Sequence, residues 1–126
     1  MKFSVAKHDK YTLFTLEEEK LNTLFAPQLK AEFLALFQAG TVNLILNLAN
    51  IKYVDSSGLS ALLVANRLSA EVQGVLVLVG LTEHVSKLIA ISKLDSVFNI
   101  LPTEAEAIDA VFLHEIQKDL TEEEEA

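Results

Sequence analysis

A chain of 126 residues, 51% of them apolar, can bury one core unaided, and with no cysteine it has neither disulfides nor thiolate chemistry nor Cys-ligated zinc. Its net charge of −8 comes with scattered cations (Lys52, Arg67, Lys87, Lys93) and no basic stripe, which argues against direct nucleic-acid binding. The longest apolar runs, Val42–Leu48 and Val75–Val79, are strand-length, far short of the roughly 20 residues of a membrane span. Met1–Ser4 does not read as a signal peptide, so a cytoplasmic protein without membrane insertion is expected.

Phe3–Ala6 and Tyr11–Leu16, joined by the polar turn Lys7-His8-Asp9-Lys10, read as a β-hairpin. Glu17–Lys20 is a charged connection. Asn22 or Thr23 offers an oxygen to cap a helix with Pro27 in its first turn; Leu29, Phe33, Leu36 and Phe37 recur at helical spacing, and Gly40 ends it. Val42–Leu48 alternates and is rich in Leu, Ile and Val, as a central strand would be, with Asn43 and Asn47 on its polar side.

Asp55-Ser56-Ser57-Gly58 then leads into a helix, with Leu59, Leu62 and Leu63 expected inward and Gly74 closing it. Such a junction places two hydroxyls and a carboxylate at the positive end of a helix dipole, where the fold would tolerate a phosphate. Ser56 and Ser57 are therefore candidate modification sites. Val75–Val79 reads as a covered strand. After Gly80-Leu81-Thr82, Val85, Leu88, Ile89 and Ile91 form the expected core face of another helix. Val97–Leu101 is a last short strand before Pro102, and Thr103-Glu104-Ala105-Glu106 has the spacing of a capping box. Ile108, Val111, Phe112, Glu115 and Ile116 trace the helix that follows, three of its apolar positions facing in. A domain of residues 1–118 is expected, followed by an acidic, disordered tail of residues 119–126 that contains Glu122–Glu125.

The order β-β-α-β-α-β-α-β-α implies an α/β sandwich with right-handed crossovers, a mixed but mostly parallel sheet, an N-terminal antiparallel hairpin and about four helices. It is too small for two full helical layers.

With these elements in place, the chain closely resembles a STAS domain of the anti-sigma-factor antagonist family. Asp55-Ser56-Ser57-Gly58-Leu59 after Leu46-Asn47-Leu48 carries the likeness, with Leu78-Val79-Gly80-Leu81-Thr82, Ser92-Lys93-Leu94-Asp95 and Thr103–Ile108. The resemblance covers roughly residues 3–115 and implies a STAS-type sandwich. It implies that Ser56, directly after the aspartate, is the phosphoacceptor. It also implies partner switching: the unmodified protein binds an anti-sigma factor that is itself a serine kinase, phosphorylation ends the binding, and a serine phosphatase restores it. Asp55, Ser56, Ser57 and Gly58, with Asn22 and Asn66, are the candidate partner-binding residues. One position departs from the pattern: Glu18-Glu19-Lys20-Leu21-Asn22 stands where many members have Gly-Glu-Leu-Asp, and Asn22 keeps the hydrogen-bonding shape of aspartate without its charge.

Nothing in the chain has the pattern of an enzyme. There is no Gly-x-Ser-x-Gly elbow and no Gly-rich phosphate loop, and His8, His84 and His114 are widely separated without metal-ligand spacing. No cofactor or metal is expected. Two other readings remain: a STAS scaffold in a signalling or transport complex that works without phosphorylation, and, far weaker, a hydrolase using Ser56 with His84.

Overall fold

A computed structural model of the chain describes residues 1–125. β1 (Phe3–Lys7) and β2 (Thr12–Leu16) form the antiparallel hairpin, with Phe3 opposite Leu16 and Lys7 opposite Thr12. β2 pairs in parallel with β4 (Leu44–Asn47), β4 with β6 (Leu76–Val79), and β6 with β7 (Asn99–Leu101). The main sheet thus has the order β1-β2-β4-β6-β7. The connections carry α1 (Ala26–Gln38), α2 (Ser56–Glu71) and α3 (Glu83–Ile91), and α4 (Glu104–Glu125) follows β7. This is the mixed, mostly parallel sandwich with four helices that the sequence led us to expect.

Two additions were not expected. Lys20–Leu21 (β3) and Tyr53–Val54 (β5) form a separate parallel pair, Lys20 opposite Tyr53 and Leu21 opposite Val54. The charged connection is therefore an ordered element, reinforced where the Lys52 N–H donates to the Glu19 carbonyl at 2.7 Å.

Alternation along β4 divides the interior. Leu44, Leu46 and Leu48 join Phe14, Leu76 and Leu78 in the larger core, against Leu29 and Phe33 of α1, Leu62 of α2, and Val85 and Ile89 of α3. Phe14 stacks on Phe3 with centroids 4.9 Å apart and meets the edge of Phe33 at 5.5 Å. On the opposite face Ile45, Val77 and Val79 meet only Ala107 and Val111 of α4 among buried side chains. The polar side of β4 does not face solvent: α4 covers it. Asn43 Nδ2 donates to Glu115 Oε1 at 2.7 Å, and Asn47 Nδ2 donates to Glu104 Oε2 at 2.7 Å. Asn43 also donates to the Lys10 carbonyl and accepts from the Val75 N–H, which satisfies a fully buried amide.

Several helix expectations need correction. Leu63 and Ile91 lie outward, 37% and 78% exposed, because α2 and α3 reach the core with Ala61, Leu62, Ala65 and with Val85, Ile89. Phe112 and Ile116 also face out, leaving Val111 and half-buried Ile108 as the inward apolar positions among those named for α4. Neither Asn22 nor Thr23 caps α1, whose N-cap is Phe25 without a side-chain bond. The last strand starts at Asn99, since Val97 and Phe98 close a turn onto the Leu94 carbonyl. The Thr103 hydroxyl does accept from the Glu106 N–H at 3.2 Å, as the capping spacing required. Finally, α4 runs on through residues 119–125, the stretch expected as an acidic tail. With neither Gly nor Pro after the Thr103 cap, each further residue adds a hydrogen bond to a helix already nucleated. Ala126 lies outside the described residues.

Candidate functional site

The chain leaves β5 at Val54 and enters α2 at Ser56, with Asp55 in extended backbone as the N-cap. Four N–H groups at a helix start lack intrahelical partners, and a carboxylate is well suited to take one. Asp55 Oδ1 accepts from the Gly58 N–H at 3.0 Å. Its Oδ2 faces Thr23, accepting from the N–H at 3.3 Å and the hydroxyl at 3.4 Å. The Gly58 N–H above all, with those of Thr23 and Ser57 and the Thr23 hydroxyl, holds the Asp55 carboxyl below the usual carboxylate range; partial desolvation opposes this.

The two serines differ. Ser57 Oγ lies 3.2 Å from Thr23 Oγ1, so its hydroxyl is engaged across the β3–β5 junction. Ser56 is exposed, and its hydroxyl has no hydrogen-bond partner among the described residues. Gly58 is buried against β3. A Cβ there would strike the Leu21 carbonyl and come within 2.8 Å of Val54 Cγ1 and 2.9 Å of Leu21 Cγ, so a side chain would prise the helix from β3. The glycine fixes where α2 begins.

Asn22 is half-buried and spent on the turn before α1. Its Oδ1 accepts from the Leu24 N–H at 3.0 Å, and its carbonyl accepts from Phe25 and Ala26. That turn presents Thr23 to Asp55. Thr23, which the sequence suggested only as a helix cap, is the residue that sequence reasoning missed. It lies 32 positions from Asp55, and only the two-residue strands bring them together.

Along α2, Ser56, Ser60, Leu63 and Arg67 succeed one another at helical spacing on one side, with half-buried Leu59 and Asn66 at its margin. Leu63 thus extends the surface that Ser56 begins. An open groove between the start of α2 and α3 is lined by Tyr53, Asp55, Ser56, Leu59, His84 and Leu88. Leu24, 76% exposed, follows Thr23 on the adjacent turn. The surface around Ser56 therefore combines apolar side chains with the Asp55 carboxylate and the exposed Ser56 hydroxyl.

The histidines do not converge. His8 stacks on Tyr11 at 4.5 Å, and the His114 ring pairs with the Gln73 carbonyl at 3.0 Å. His84 shares the groove with Ser56, but no hydrogen bond joins them among the described residues. Among those residues no group of three or more His, Asp or Glu could hold a metal ion, and no helix is long and apolar enough to cross a membrane.

Comparison with known proteins matches this arrangement. The family model for the STAS domain matches residues 2–107. A Bordetella bronchiseptica protein, BtrV, named as an anti-sigma factor antagonist, is 33% identical over 100 residues, spanning 79% of this chain and 85% of its own. An anti-sigma-factor antagonist (STAS) domain protein from Planctomyces limnophilus superposes with a TM-score of 0.79 at 20% identity, over 86% of this chain and 97% of that one. The Bacillus cell fate determinant SpoIIAA, solved in its phosphorylated form, superposes with a TM-score of 0.68 at 24% identity, over 87% and 99% of the two chains. The sheet order, the Asp55-capped helix and these matches together make the chain a STAS-domain protein of the anti-sigma factor antagonist family.

Proposed function

We propose that the protein is a cytoplasmic, non-enzymatic partner switch. Its Ser56 surface binds an anti-sigma factor with serine kinase activity; phosphorylation of Ser56 ends the binding, and a serine phosphatase restores it. The observation that carries this reading is the contrast at the helix start. Asp55 and Ser57 are committed to internal hydrogen bonds, while Ser56 is exposed and unpartnered. A kinase can reach this hydroxyl without breaking a bond that holds the fold. The family's antagonist members, and the existence of SpoIIAA in a phosphorylated form, support the same reading.

The energetics favour a local switch. A phosphate on Ser56 adds about −1.5 to −2 charges. At the start of α2 the helix dipole offsets part of this, typically by about 0.3–1 kcal/mol, so the domain stays folded. At an interface the same charge, beside the Asp55 carboxylate, must be desolvated against a partner shaped for a hydroxyl. Uncompensated charge there costs several kcal/mol. About 3 kcal/mol is over a hundredfold in affinity, so no conformational change is needed. Asp55, Ser57, Gly58 and Asn22 frame the serine in this reading, and Leu63 and Asn66 extend the contact along α2.

Incubation with the cognate kinase and ATP, followed by peptide mapping, tests the site. A single phosphate on Ser56, absent from Ser56→Ala, is expected. Modification elsewhere, or a stable partner complex indifferent to the phosphate, would favour the phosphorylation-independent scaffold instead.

A further inference from the structure

α4 has an outer face that its fold does not use. The helix packs on β4, β6 and β7, with Ala107, Val111, Glu115 and Lys118 turned toward the sheet side. Phe112, Ile116 and Leu120 follow one another four residues apart on the far side, and Leu113 sits three positions before Ile116. They are 45%, 57%, 54% and 55% exposed respectively. Single exposed apolar residues are ordinary; four at continuous helical spacing are a stripe. Its flanks carry one sign of charge only, from exposed Asp109, Asp119 and Glu123. Lys118, the one Lys or Arg in α4, is turned away and paired with Glu115 at 3.4 Å. The STAS family model matches residues 2–107, so the stripe lies beyond the segment it matches.

The charges restrict what can cover it. Two copies of α4 joined antiparallel would set Asp109 of each against the Asp119–Glu123 end of the other. Joined in parallel, each acid would face its twin. Both arrangements place like charges around the apolar contact, which is unfavourable, and an anionic membrane surface is disfavoured for the same reason. A helix of opposite polarity fits: apolar residues at i, i+3/i+4 and i+7 against the stripe, with Lys or Arg beside the acids.

We infer that the outer face of α4 is a second docking site, for a basic amphipathic helix of another protein. It lies across the sheet from Ser56, because α4 covers the face opposite α1, α2 and α3. Occupation of this site is therefore independent of the state of Ser56. The chain can hold one partner permanently while exchanging another.

The test uses the full chain and a fluorescent synthetic helix of about 18 residues, five turns, with Leu along one face and Lys on its flanks. A twin with Glu in place of Lys is the control. Anisotropy should show saturable binding of the Lys helix, none of the Glu twin, and an unchanged dissociation constant for Ser56→Asp. The triple variant Leu113→Ser/Ile116→Ser/Leu120→Ser keeps the net charge and should weaken binding by at least about tenfold. Asp109→Asn/Asp119→Asn/Glu123→Gln should weaken it comparably and flatten its salt dependence; as it leaves the apolar stripe intact, it reads the site even if the serine variant misfolds. Failure of the Lys helix to bind, equal binding by the triple-serine variant, or equal binding of the Glu twin would overturn the inference. So would a dimer in sedimentation, or flotation with anionic phosphatidylserine vesicles, that the serine substitutions abolish.

Discussion

The two faces of the main sheet are secured by different means. Under α1, α2 and α3 the contact is predominantly apolar, from Phe14 and Phe33 through Leu62 to Val85 and Ile89, with the buried Thr12–Thr41 hydroxyl pair among its few polar members. Under α4 it consists of five buried apolar side chains between two Asn–Glu hydrogen bonds, Asn47 to Glu104 and Asn43 to Glu115. Apolar burial scales with area and fixes a helix firmly, whereas a hydrogen bond contributes modestly and mainly penalises its own loss. The difference explains where a switch can sit. In the proposed reading Ser56 stands on the apolar-packed face, where Gly58 and the Asp55 cap fix the start of α2, so that added charge would alter a surface and leave the architecture alone. α4 is aligned by polar contacts at two points and keeps its apolar surplus outside.

Truncation on the two faces should separate them most. Phe33→Ala, emptying the centre of the larger core, should cost about 3–5 kcal/mol in urea unfolding. Asn43→Ala, which leaves Glu115, the Val75 N–H and the Lys10 carbonyl short of a partner, should cost less, about 1–3 kcal/mol. Its hydrogen exchange should quicken in α4 more than in α2. A larger loss for Asn43→Ala than for Phe33→Ala would break the distinction.

Acid sharpens it. Hydrogen bonding from Asn43, aided by the charges of Lys118 and His114, lowers the Glu115 carboxyl, and the Gly58 N–H heads the causes for Asp55. Both are depressed in the folded state. Their stabilisation is therefore complete above the ordinary carboxylate values, about 3.9 for Asp and 4.3 for Glu, and is lost as pH falls through the lower folded values. Glu115→Gln should remove the α4 share of the acid-side decline in the urea midpoint, and Asp55→Asn the α2 share. Unchanged pH profiles in both would contradict the hydrogen-bond assignments. The smallest effect is expected at the proposed switch: Ser56→Asp should alter stability by no more than about 0.5 kcal/mol, as for an exposed position in thermal unfolding.

The sequence showed the sheet well, because β2, β4 and β6 are strands whose alternation or apolar run reports burial directly. It showed the Thr103 cap, whose chemistry is local. It could not show β3 and β5: two residues have no periodicity, so the partnership of Thr23 with Asp55 was invisible. Leu63, Ile91 and one of the outward pair Phe112 and Ile116 are expected inward for one reason: helical spacing marks an apolar residue without saying whether core or partner covers it. Asn43 and Asn47 read as a polar side of β4, correctly, yet only the placement of α4 turned that side into a buried contact. The Asp-Ser-Ser-Gly run marked the start of α2, but which of its serines is hydrogen-bonded depended on the Thr23 hydroxyl.

The most direct measurement is the calorimetric affinity of the anti-sigma factor partner for the wild-type chain, Ser56→Ala and Ser56→Asp side by side. A free, surface-displayed hydroxyl that works by charge predicts near-equal binding for the first two and over a hundredfold weaker binding for the third, with matching thermal midpoints. Equal affinity across all three, or a loss in Ser56→Asp that tracks unfolding, would contradict it.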